Sequence, residues 1–78
     1  MIAGFRDWQG LVRALERLGC TVYYQSDTHV FLARANVRQQ AIPKVPIHPD
    51  LEKIIVEALG FTTTAYQAAL DLDDRDGN

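Results

Sequence analysis

His29 is the residue of this chain whose type and setting best suit chemistry at neutral pH. An imidazole both gives and takes a proton there, so a single histidine can serve as acid or as base. It follows Ser26, Asp27 and Thr28, all turn formers, and it opens the apolar-rich segment HVFLARA. The plainer alternative is a histidine that starts a strand and only hydrogen-bonds the turn. Lys44, Arg38 and Arg34 are the candidate phosphate contacts near it in sequence. Each is equally readable as ordinary solvated charge. Tyr23, Tyr24 and Phe31 offer rings for stacking on bases, or for packing under helices. At least one of the adjacent tyrosines must point away from a core, because side chains alternate along a strand. His48 and Cys20 do not complete a metal site, since no ligand pair has zinc spacing and structural zinc takes four ligands. No metal and no cofactor is expected.

The elements that must hold these residues follow from periodicity. Trp8, Leu11, Val12, Leu15 and Leu18 recur at helical spacing, with Arg13, Glu16 and Arg17 opposite. Asp7 suits the start of that helix, and Gly19 suits the left-handed residue that ends it. Three strands are expected next: Cys20 to Gln25, His29 to Ala35, and a weaker one from Arg38 to Pro43. Asn36 and Val37 sit at the bend between the last two, in a loop longer than two residues because Val37 suits a φ > 0 turn position poorly. A bend there sets Arg34 across from Arg38 and His29 across from Pro43. Lys44 would then emerge beside His29, while alternation sends Arg34 to the opposite face.

Lys44 to Pro49 reads as an extended linker stiffened by prolines. Pro49 then leads a helix that ends near Leu59, with Leu51, Ile54, Ile55, Ala58 and Leu59 on its stripe. His48 is its starting residue, Gly60 closes it, and Thr62 caps a short last helix with Tyr66, Ala69 and Leu70 on the apolar side. The expected fold is α+β: an αβββα two-layer sandwich, a three-stranded antiparallel sheet with helices on one face, plus the short C-terminal helix. Leu11, Leu15, Leu18, Phe31, Ile42, Ile54, Ile55 and Leu59 form the expected core, each worth about 1.5–3 kcal/mol on burial. Trp8 is also assigned to it.

Composition narrows the setting. Seventy-eight residues, 47% hydrophobic and 23% charged, make one folded domain. That domain is expected over residues 1–70, with 71–78 as an acidic, flexible tail. The net charge is −2, yet the tail carries much of the acid, and residues 1–70 are net +1. A near-neutral body argues mildly against nucleic acid, whose phosphates favour a positive footprint. Cys20 is the single cysteine, so no internal disulfide is available. The opening MIAGFRDWQG lacks a signal-peptide pattern, and no apolar run approaches the roughly 18 residues of a membrane span. A cytoplasmic protein without a membrane partner is expected.

The motifs, in order, are Leu18-Gly19, Asp27-Thr28-His29, Ile42-Pro43, the Pro49-led helix, and Gly60-Phe61-Thr62. This order resembles the HicA mRNA-interferase toxins over about Asp7 to Leu70. In that family a Gly-Ser-His-type turn opens the second strand and a Val-Pro step ends the third; the His29 to Pro43 spacing fits without a gap. The resemblance implies a fold similar to double-stranded RNA-binding domains. It also implies a toxin of a type II toxin–antitoxin system, acting as a metal-independent endoribonuclease on mRNA. His29 would be the catalytic residue, and a HicB-like antitoxin would neutralise it. Three positions differ from the family pattern. Asp27 replaces the turn glycine, Val30 stands where a second histidine or a base is common, and the hairpin carries only Arg38 as a base. The alternative is a non-catalytic module of the same fold that binds a protein partner or RNA.

Overall fold

The computed structural model describes residues 4–35 and 38–76, with side chains described as far as Asp73. The chain runs α1 (Trp8–Arg17), β1 (Thr21–Gln25), β2 (His29–Arg34), β3 (Arg38–Pro43), α2 (Pro49–Ala58) and α3 (Thr63–Asp76). Local chemistry sets these limits. Asp7 caps α1 by accepting from the Gln9 amide, and Gly19 leaves it at φ +102°. His48 Nδ1 accepts from the Asp50 amide at 3.0 Å to start α2, with Pro49 in the first turn. Gly60 ends α2 at φ +86°, a value that costs any other residue a steric penalty. Thr62 Oγ1 accepts from the Ala65 amide at the start of α3.

The sheet is antiparallel in the order β1-β2-β3. Pairing of β2 with β3 sets His29 opposite Pro43, Val30 opposite Ile42 and Arg34 opposite Arg38, the register expected from the sequence. Residues 35–37 are left to connect the strands; the expected bend at Asn36 and Val37 lies outside the described residues. One face of the sheet carries Val30, Leu32 and Ile42, all buried against Leu11, Leu15, Ile55, Val56 and Leu59 from the helices. The molecule is thus an α+β domain with an open three-stranded sheet and three helices. No helix among the described residues is long and apolar enough to cross a membrane.

The core differs from the expected one in a consistent way. Leu11, Leu15, Ile42, Ile55 and Leu59 are buried as expected, whereas Trp8 and Leu18 are only partly so. Phe31 lies on the other face of the sheet, because β2 alternates and Val30 and Leu32 take the inner positions. Ile54 is 59% exposed, and α2 instead turns Ile55, Val56 and Leu59 inward. Val56 joins Ile55 and Leu59 in the core, and Glu52, one turn before Val56, lies partly buried on the same side. Its Oε2 accepts from Arg6 Nε at 3.1 Å and from the Tyr66 hydroxyl. With Glu52, Ile55, Val56 and Leu59 on the inward side, Leu51 and Ile54 face out.

Two further segments correct the sequence reading. The Lys44–Pro49 linker is anchored: Ile47 is fully buried, and its backbone exchanges two hydrogen bonds with Arg6, at 2.8 and 2.7 Å. The last helix is not short but the longest of the three, continuing to Asp76 through residues read as tail. Asp73 explains part of that length, since its carboxylate accepts from Arg13 at 3.0 Å and lies 3.8 Å from Arg17 on α1. Such exposed pairs contribute little each, but together they register α3 on α1.

Candidate functional site

The tight turn between β1 and β2 builds the surroundings of His29. Ser26 donates its amide to the His29 carbonyl at 2.9 Å, and its Oγ accepts from the amides of Thr28 and His29. Ser26 thereby closes the turn with both backbone and side chain. Thr28 Oγ1 then lies 2.9 Å from His29 Nδ1. That contact fixes the ring through one nitrogen. With Nδ1–H donating to Thr28, Nε2 holds the lone pair of a base in the neutral ring and the proton of an acid in the imidazolium.

His29 belongs to an aromatic cluster on the open face of the sheet. Its ring centroid is 6.2 Å from that of Phe31, which is 5.5 Å from Tyr24 and 6.3 Å from Tyr23. Tyr24 pairs with Phe31 across the strands, and the register shifts between Val22 and Tyr24. This bulge makes Tyr23 the extra residue, so two tyrosines adjacent in sequence both reach the Phe31 ring. They remain 53% and 59% exposed, and the Tyr23 hydroxyl donates to Gln39 Oε1 at 3.3 Å. The sequence offered packing under helices as the plain reading of these rings; they lie on the opposite side. The expected core includes Phe31; the two-residue period of a strand starting at His29 was the signal that could have placed it beside His29.

The three cations go elsewhere. Arg34 Nη1 donates to the Leu59 carbonyl at 2.9 Å, and its guanidinium stacks 4.2 Å from the Phe61 ring centroid. Arg38 Nη1 donates to the Ala58 carbonyl at 3.1 Å. Both thus satisfy the last carbonyls of α2, where the helix dipole favours positive charge. They close over Gly60, where an added Cβ would lie 2.8 Å from Arg34 Nη1. Lys44 does stand next to the turn by its backbone, donating its amide to the Thr28 carbonyl at 2.8 Å. Its ammonium, however, lies 5.6 Å from the centroid of the Trp8 ring. Alternation explains this: Pro43 shares the face of His29, so the next residue turns to the other side.

Cys20 and His48 take no part. Burial pushes the Cys20 thiol above its ordinary range, with the Arg34 charge opposing, so it is held protonated. His48 caps α2 and meets the Phe5 ring edge-to-face at 5.2 Å. The described residues hold no group of three or more histidine, cysteine or acidic side chains arranged to bind a metal. The site is therefore an oriented imidazole at the rim of an exposed aromatic surface, next to the turn that carries Asp27. Such a surface suits flat, partly apolar partners, whether bases or protein side chains. No protein-family model matches this chain, nor does any curated protein or solved structure.

Proposed function

We propose that the chain is a metal-independent endoribonuclease that lays single-stranded RNA on the open sheet face and cleaves it with His29. The observation that carries this reading is the shared face. His29, Phe31 and both tyrosines stand together where none of the three helices covers them. Bases stacked on the rings would bring the sugar–phosphate backbone past the imidazole. In such a cleavage the 2′-oxygen bonds to phosphorus as the bond from phosphorus to the 5′-oxygen breaks; His29 would take the 2′-hydroxyl proton, and water would supply the proton to the leaving oxygen. The resemblance to HicA toxins points the same way and supplies the finer reading: a double-stranded-RNA-binding-domain-like fold, a cytoplasmic mRNA target and a HicB-like antitoxin. An antitoxin seated on this face would cover His29 and the aromatic rings at once, which is an economical way to silence both.

The test is cleavage of mixed mRNA by the wild type beside His29→Ala. Loss of one acid–base group is expected to lower the rate about 10²- to 10⁴-fold with the circular dichroism spectrum unchanged. Equal cleavage by the two proteins, or none by the wild type, overturns the assignment. A second reading is favoured by the cations: with Arg34 and Arg38 on helix carbonyls, the aromatic face lacks the charge that usually grips phosphate. A non-catalytic module binding a protein through these rings accounts for that, since tyrosines are frequent anchors at interfaces.

A further inference from the structure

We infer that the cleft between the N-terminal segment and the β3–α2 connection is a nucleotide site, taking a base among its aromatic walls and a phosphate at Lys44. That it continues the path of RNA beyond His29 rests on the ribonuclease reading above; the binding itself does not.

The cleft has a volume of about 450 Å³, within the range of ordinary small-molecule sites, roughly 300–1,000 Å³. Among the described residues its walls are Phe5 and Trp8 on one side, and Val45 and Pro46 on the other. Two rings and two aliphatic side chains make a slot for a flat, partly apolar group. The two walls are tied together by the backbone, because Arg6 of one and Ile47, next after Pro46 of the other, pair through two short hydrogen bonds. Little ordering then remains to be done on binding.

Charge selects the class of ligand. The Lys44 ammonium stands over Trp8 and, among the described residues, has no carboxylate partner. The other charged groups of the lining are committed. Arg6 is bonded to Glu52, and Asp7 accepts the Gln9 amide at the start of α1. An anion therefore meets its attraction at Lys44 and its repulsion at Asp7, which orients a ligand with one anionic end. A nucleoside monophosphate has this shape: a flat base for the slot and a phosphate for the ammonium.

The cleft also lies where an RNA strand would arrive. Lys44 donates its amide to the Thr28 carbonyl, one residue before His29, and Pro43 pairs with His29 itself. The end of β3 thus separates the imidazole from the cleft by a single residue. A nucleotide flanking the scissile bond has only to turn around that strand end.

Trp8 is the single tryptophan of the chain, so its fluorescence reads the cleft directly. The probes are uridine and adenosine monophosphates, the two nucleosides, and inorganic phosphate, with excitation at the red edge of indole absorption. Saturable quenching by the monophosphates is expected in the millimolar range, a modest affinity suited to one subsite. Lys44→Met is expected to weaken monophosphate binding about fivefold, the size of one exposed charge contact, while leaving nucleoside binding as it was. Val45→Asp, on an exposed wall, is expected to abolish both. The inference is overturned if no monophosphate quenches saturably, if Lys44→Met binds monophosphates as well as the wild type does, or if phosphate alone reproduces the effect. The titration needs no turnover. Quenching without RNA cleavage upholds the cleft and removes the reaction; cleavage without quenching does the reverse.

Discussion

The Thr28 contact at His29 Nδ1 and the crowding of Gly60 by two arginines are the single-residue features with the most testable consequences. The first engages Nδ1 and leaves Nε2 for the proposed reaction, which is why His29→Ala is its decisive variant. The second is a matter of stability. Alanine at Gly60 would have to adopt φ +86° and push the Arg34 guanidinium off the Leu59 carbonyl. Gly60→Ala is therefore expected to lose about 1–3 kcal/mol in urea unfolding. A loss within error of zero would show that the arginines shift without cost. The sequence placed both residues correctly in the fold, His29 at the start of a strand after a turn and Gly60 just past a helix. It could not show what Arg34, Arg38 and Lys44 do. A long cationic side chain reaches many partners from one position, and only the folded arrangement brings the end of α2 within reach of β2 and β3.

The strands and helices were legible wherever one periodicity ruled, and misread where an ionic group broke it. The three strands matched their expected spans to within a residue, as did the pairing of β2 with β3. The inward face of α2 was misjudged because Glu52 looks like a solvent residue until Arg6 and Tyr66 are seen to hold it. Arg34 ties the far end of the same helix to the sheet, so Arg34→Met is expected to cost about 1–2 kcal/mol and to raise amide exchange in the last turn of α2. Unchanged exchange there would remove Arg34 as the cap. At the near end, burial first, and then the bond and charge of Glu52, push the Tyr66 phenol well above its ordinary range. A group whose pKa is raised by folding stabilises the native state below its unfolded value, and that contribution is lost as pH rises beyond it. The wild type should therefore lose stability as pH climbs past about 10, the pKa of a free phenol. Tyr66→Phe, less stable at neutral pH, should show no such added alkaline loss. Parallel curves would mean that the tyrosine does not report on this contact.

Taken whole, the molecule places its apolar burial on one side of a sheet and its candidate chemistry on the other. This division was half visible in the sequence. The alternation of β2 separates Val30 and Leu32 from His29 and Phe31, but Phe31 was assigned to the core because large apolar side chains are usually buried. The bulge that brings Tyr23 and Tyr24 to one face leaves no mark in composition at all. The outcome is an exposed aromatic face with both Arg34 and Arg38 drawn to α2, and under the proposed RNA reading this fixes how affinity should respond to salt. A strand held by stacking releases few counterions, so the slope of log K against log salt should be shallower than about −2. Tyr24→Ala should then cost about 1–3 kcal/mol of RNA affinity, measured by fluorescence anisotropy. A steep slope with no effect at Tyr24 would move RNA off this face.

The bulge at Tyr23 has a bearing on solubility as well. β1 is an edge strand, and a regular edge next to exposed rings is a template for another chain to add to. One extra residue interrupts that template, since the row of amides and carbonyls along β1 no longer keeps the even spacing a stray strand would match. The insertion that gathers the aromatic rings thus also guards the border beside them. Removing Tyr23 would do more than delete a ring: it would restore an unbroken edge and leave a sticky face next to an open seam.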